Sequence, residues 1–254
     1  MGNILALAGK ELRAYFVSPI AYVLLVFFAL LFGWFYVASV NVMVQLSMGQ
    51  FGMGPQVVNI NEFMIRPLFG NTAVILLFLL PMLTMRSFAE EKRSGTMELL
   101  LTSPLTDLQI ILGKFLGALA LYCLMLALTL LHVGLLFWYG EPEWGPIASG
   151  YLGLLLMGGA FISVGLAISS MTKNQIVAGV ATFAVLLLFW IINWIGDASG
   201  TTSQAVLAYL SILEHFDDFS KGVIDTKHVT YYLSFIVVGL FLTAKSMDQE
   251  RWNG

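Results

Sequence analysis

Little in this 254-residue sequence could do covalent chemistry. Gly113-Lys114 has the ending of a phosphate-binding loop, yet Leu108 stands where the first glycine of G-x-x-x-x-G-K-[ST] belongs, and Phe115 where its hydroxyl belongs. The chain therefore has no nucleotide-hydrolysing loop of that type. Neither H-E-x-x-H nor the nucleophile elbow G-x-S-x-G occurs. Ser163 and Ser169 lie in an apolar run without a paired base, which disfavours an intramembrane hydrolase. His132 is a single imidazole on an apolar helix and reads as a hydrogen-bonded core residue. His215 has Glu214, Asp217 and Asp218 for neighbours and could join a divalent-cation site, but no ligand spacing is specific, so a solvated loop without metal is expected. Cys123 is the single cysteine, which excludes an internal disulfide and leaves a packing role.

Composition says where these residues sit. Hydrophobic residues make up 59% of the chain and charged residues only 11%, against roughly 25% charged in a soluble domain. A net charge of −3 gives no bias toward nucleic acid. No cleavable signal peptide is expected, because the apolar stretch after Lys10 is too long and lacks a small-x-small site. Crossing about 30 Å of hydrocarbon takes about 20 apolar residues in a helix. Gaps between charges then give six spans, at about 20–40, 67–85, 113–139, 148–171, 176–195 and a short 229–246. The expected fold is a single all-α membrane domain. Nine basic residues (Lys10, Arg13, Arg86, Lys92, Arg93, Lys114, Lys173, Lys245, Arg251) fall on one side and three (Arg66, Lys221, Lys227) on the other, which puts both termini in the cytoplasm.

Local signals set the boundaries. Ser18-Pro19 is a cap followed by a first-turn proline. Thr106-x-x-Gln109 and Thr201-x-x-Gln204 are capping boxes; the second opens a short interfacial or re-entrant helix to about Leu213. Ile4, Leu5, Ala8, Leu12, Tyr15 and Phe16 repeat at helical spacing, so residues 1–17 read as an amphipathic surface helix rather than an extension of span one. Gly113, Gly117, Gly159, Ser163, Gly165 and Ser169 suit close helix packing, within one chain or across a dimer seam. The spans hold almost no ionisable group beyond His132, with Asn193 the polar residue of span five. Driving energy is therefore expected from outside the chain.

The remaining feature is EEKRSGTMELLLTSPL, residues 90–105. Positive-inside anchoring accounts for Lys92 and Arg93 but not for Glu98-Leu99-Leu100-Leu101. Between the break at Gly95 and the stop at Ser103-Pro104, Thr96–Thr102 can form about two helical turns. A short apolar helix on a charged stalk could dock a soluble partner and transmit motion.

Arg86 to Leu119, RSFAEEKRSGTMELLLTSPLTDLQIILGKFLGAL, resembles the signature of ABC-2 type permeases, the membrane subunits of ATP-binding-cassette exporters. Glu214 to Ser234, EHFDDFSKGVIDTKHVTYYLS, resembles the segment before the last span in the gliding-motility branch of that superfamily. The resemblance implies that the loop between spans two and three is a coupling helix contacting a separate ATPase. Glu90, Glu91, Lys92, Arg93, Gly95, Thr96, Glu98, Leu99, Leu100, Leu101, Thr102 and Pro104 match that element. Lys173 and Asn174, in the turn Thr172–Gln175, match a second, smaller contact, and Lys10, Glu11 and Arg13 match the surface helix. The implied chain is not an enzyme and binds no cofactor; ATP and Mg belong to the ATPase. Two ATPases and a second permease subunit are implied in a bacterial cytoplasmic membrane, as a homodimer or a heterodimer, the latter including a subunit with a large extracytoplasmic domain. An exporter is the function implied. The alternative is a non-transporting anchor through which an ATPase drives a surface or gliding machine.

Overall fold

The computed structural model describes residues 2–49, 59–199 and 203–253. Among these the chain is all-helical, with no strand. Helix α1 (Gly2–Val17) is separated from α2 (Pro19–Ser47) at Ser18, whose backbone is extended and whose Oγ accepts from the Ile20 amide. Proline at the first position of α2 costs no hydrogen bond, because that amide would have no helical partner. A π-helical turn, Asn61–Ile65, leads into α3 (Arg66–Thr84). A hairpin of two short helices follows, α4 (Ala89–Ser94) and α5 (Met97–Leu101), turned at Gly95 with φ +73°, a conformation that disfavours any Cβ. Next come α6 (Asp107–Tyr139), α7 (Trp144–Ser170), α8 (Gln175–Ser199), α9 (Ser203–Leu210), α10 (Ile212–Ser220) and α11 (Thr226–Asn253).

Six helices are long and apolar enough to cross a membrane: Pro19–Ser47, Asn61–Ser94, Asp107–Tyr139, Trp144–Ser170, Gln175–Ile192 and Thr226–Arg251. These are the six expected spans, though several run longer than the charge gaps indicated. Span three starts at Asp107 because both halves of the Thr106/Gln109 capping box form, at 3.3 and 3.2 Å. Span six is not short: α11 continues past Lys245 to Asn253, its charged end engaging other helices. Thr201 lies outside the described residues, as does the Asn193 side chain. The helix expected to reach Leu213 is two helices, broken at Ser211.

Helix α7 is the hub, packing against α3, α6, α8, α10 and α11. Its small residues allow this. A Cβ on Gly158 would lie 2.2 Å from the Tyr122 ring, and one on Gly165 would lie 2.0 Å from Thr84 Oγ1. Gly113 and Gly117 on α6 receive Leu7 and Glu11 of α1 in the same way. The small-residue rows therefore pack within one chain. Helices α2, α8 and α11 instead turn most of their apolar surface outward, among it Leu30, Trp34, Ile176, Val180, Val237 and Phe241. In lipid such faces carry no penalty.

Candidate functional site

The α4–α5 hairpin is built by charge. Lys114, seven residues into α6, is only 2% exposed. Its Nζ donates to Glu91 Oε1 of α4 at 2.8 Å, Glu11 Oε1 of α1 at 3.0 Å and the Ser87 carbonyl at 2.9 Å. The Phe88 ring lies 5.1 Å away. All three ammonium protons are thus used, as a buried lysine requires. Glu91 Oε2 is buried with no hydrogen-bond partner among the described residues.

Further contacts fix the hairpin on every side. Arg86 grips Glu90 with two parallel hydrogen bonds, 2.7 and 2.8 Å, and reaches Ser18 Oγ at 3.4 Å. Ser169 Oγ, at the end of α7, accepts from the amides of Phe88 and Ala89 and donates to the Met85 carbonyl, each at 3.1 Å. It thereby satisfies two amides that the start of α4 would leave unpaired. Lys92 pairs with Glu250, and Arg251 with Asp107 at 3.0 Å, so the far end of α11 is tied to both α4 and α6. Tyr15 of α1 hydrogen-bonds Ser87 and Leu83, and burial raises its phenol above the ordinary value. A cleft of about 320 Å³ lies among Lys10, Glu11, Tyr15, Arg86 and Glu91.

The residues proposed from the sequence divide into two groups. Glu11, Glu90, Glu91 and Lys92 turn to partners inside the chain. Thr96 Oγ1 meets Ser94 Oγ at 2.9 Å, and Thr102 Oγ1 donates to the Glu98 carbonyl, so both serve the local turns. Lys10, Arg13, Arg93, Glu98 and Pro104 are exposed. Leu99 is 72% exposed, while Leu100 packs partly on the core; the Leu101 side chain lies outside the described residues. Lys173 is exposed, and Asn174 caps α8 by accepting from the amides of Ile176 and Val177. Helix α4 packs against α8, which brings both proposed contacts to one end of the bundle.

Sequence reasoning missed four elements here. Met97, buried, anchors α5, and Leu108, at the start of α6, is 66% exposed. The partners Glu250 and Ser169 lie 158 and about 80 residues from the groups they hold. The position of Lys114 inside an apolar helix is the available signal for its buried pair.

Two expectations are corrected. His132 is held by ring contacts with Phe32 and Tyr36, at 5.2 and 5.1 Å, and its buried Nδ1 has no hydrogen-bond partner among the described residues. His215 is not in a solvated loop: it is 3% exposed on α10, because Gly222, at φ +94°, folds α11 back over it. No cluster of metal-ligating side chains occurs among the described residues.

Comparison with known proteins gives a family. The family described as ABC-2 family transporter protein matches residues 5–244. The probable multidrug ABC transporter permease YbhR of Escherichia coli K12 is 30% identical over 145 residues, as is its counterpart in Escherichia coli O157:H7. The matched stretch covers 55% of this chain but only 38% of each relative.

Proposed function

This chain belongs to the ABC-2 transporter family, and we propose that it is the membrane subunit of an ABC exporter, driven through α5 by a separate ATPase. The observation that carries this reading is an exposed leucine on α5, Leu99, with another at the start of α6, Leu108, beside a hairpin clamped to α1, α6, α7 and α11. A rigid base lets a partner that docks on it move the spans. Leu99, Leu108, Glu98 and Arg93 meet the ATPase; Lys173 adds a second contact. Glu90, Glu91 and Lys92 act behind that surface, holding it on the bundle.

In this reading ATP and Mg are bound by the ATPase alone. Two ATPases work with two permease subunits in the bacterial cytoplasmic membrane, and the α4–α5 end and both termini face the cytoplasm. The Glu214–Ser234 segment supports the gliding-motility branch as the nearest functional group. Closure of the ATPases on ATP shifts the bundle between two arrangements by moving α5, with α4 and α6 following.

Copurification tests this directly. The chain expressed with an ABC ATPase of its own organism should retain that ATPase through purification, and Glu98→Arg or Leu99→Asp should break nucleotide-dependent coupling in a folded bundle. Intact association and coupling in both variants would refute the docking surface. Lipid or peptide movement in proteoliposomes separates the exporter from a mechanical anchor, which would keep the ATPase but move no substrate.

A further inference from the structure

At the opposite end of the bundle, four groups form an unbroken line across α9, α10 and α11. Asp218 Oδ2 lies 2.8 Å from His228 Nε2, His228 Nδ1 lies 2.6 Å from His215 Nδ1, and His215 Nε2 lies 2.8 Å from the Tyr209 carbonyl. Three gaps at hydrogen-bond length require three protons. The carbonyl only accepts, so His215 carries its proton on Nε2. A neutral His228 has one proton, which serves the gap to an ionised Asp218 or the gap to His215, but not both. Two neutral imidazoles and a carboxylate therefore fall one proton short, and would set two lone pairs against each other either in the 2.6 Å gap between the rings or in the 2.8 Å gap to Asp218.

We infer that Asp218, His228 and His215 form a built proton-binding site, holding one proton more than their ordinary neutral-pH states and so clasping α10 to α11. The proton makes the trio neutral overall, either as imidazolium beside carboxylate or as carboxylic acid beside imidazole; these are two forms of one coupled unit.

The surroundings fit one extra proton and resist a second. His215 is stacked on the Tyr231 ring at 3.8 Å, with Tyr209 and Tyr232 edge-on, and burial holds its imidazole below the usual range, partly offset by the Tyr209 carbonyl. Around Asp218, Lys221 lies at 3.8 Å and Lys227 at 4.0 Å; Asp217 and Asp225 draw on the same two lysines, Arg66 pairs with Asp217, and Glu214 precedes His215 on α10. The Asp218 side chain is 35% exposed and gives the proton its route to water. Tyr231 and Tyr232 hydroxyls donate to the carbonyls of Leu210 and Ile212 across the same seam, so the site lies inside the joint it controls.

The decisive measurement is nitrogen NMR of the full chain, labelled with 15N-histidine, in lipid bilayers. The sequence has three histidines, so a single coupled pair is unambiguous, and His132 is the internal reference. Near neutral pH, the two Nδ1 nuclei should show scalar coupling across a shared proton, with both Nε2 protonated or exchanging with Asp218. The coupling should vanish in His215→Gln. Uncoupled, lone-pair Nδ1 signals in the folded wild type would overturn the inference. A spectrum that changes on adding a metal chelator would also overturn it, showing a metal between the rings. If the variant fails to fold, the wild-type spectrum alone decides.

Discussion

Lys114 Nζ lies 2.8 Å from Glu91 Oε1, joining α6 to α4 across a sequence distance of 23 residues. Glu11 reaches the same nitrogen from 103 residues away. One ammonium thus locks the first helix, the hairpin and the third span together.

Removing it should be costly. Lys114→Met leaves two carboxylates facing each other in a buried site, and breaking a buried pair in this way costs about 3–5 kcal/mol. Thermal melting in detergent should show a large loss, and spin labels on α1 and α6 should report α1 moving away. Lys114→Met with Glu11→Gln and Glu91→Gln should recover much of the stability, since no charge is stranded.

Ser169→Ala should act locally. Two buried amides, of Phe88 and Ala89, lose their shared acceptor, at about 1–3 kcal/mol. Hydrogen exchange should speed up at these two amides and through α4, while the middle of α7 stays protected.

Leu99→Asp and Leu108→Asp should leave the fold intact. Both side chains are mostly exposed, so stability should stay within about 0.5 kcal/mol of the parent chain. ATPase copurification should be lost in the double variant and reduced in each single one.

Gly165→Ala forces a Cβ to within 2.0 Å of Thr84 Oγ1, which already donates to the Leu80 carbonyl. The α3–α7 contact must open, at about 1–3 kcal/mol of overpacking cost. A drop in melting midpoint, relieved by Thr84→Ala, checks the contact.

The ion pairs of Asp217 give an acid limb. Burial works to raise its carboxyl, but hydrogen bonds from Lys221 and Arg66 prevail and hold it below its ordinary 3.8. Its stabilisation is present above that value and lost as pH falls through the depressed one. The group is partly exposed, so the effect is small. Asp217→Asn should flatten the acid side of the melting profile and leave the neutral plateau lower.

The spans and their caps were legible because their causes are local. Charge is excluded from lipid over any 20-residue window, and Ser18-Pro19 and Thr106/Gln109 act within four residues. The interior of both ends was not legible. Lys92 meets Glu250 and Lys114 meets Glu11 only after the helices have packed, and nothing in the spacing of those residues marks the pairs. The hairpin's break at Gly95 could be read, but not the inward turn of Glu91 onto Lys114. His215 looked solvated because acids flank it; its burial follows from α11 folding back after Gly222, and from Tyr231 stacking on its ring.

The ties at Glu11, Lys114, Ser169 and Glu250 enclose α4 from four helices. Mechanically this is a collar. A load applied at Leu99 would be divided among α1, α6, α7 and α11 instead of bending one span. On the proposed reading, a stroke entering there would be short and stiff, suited to tilting a block of helices together, and weakening one tie would soften it without cutting transmission.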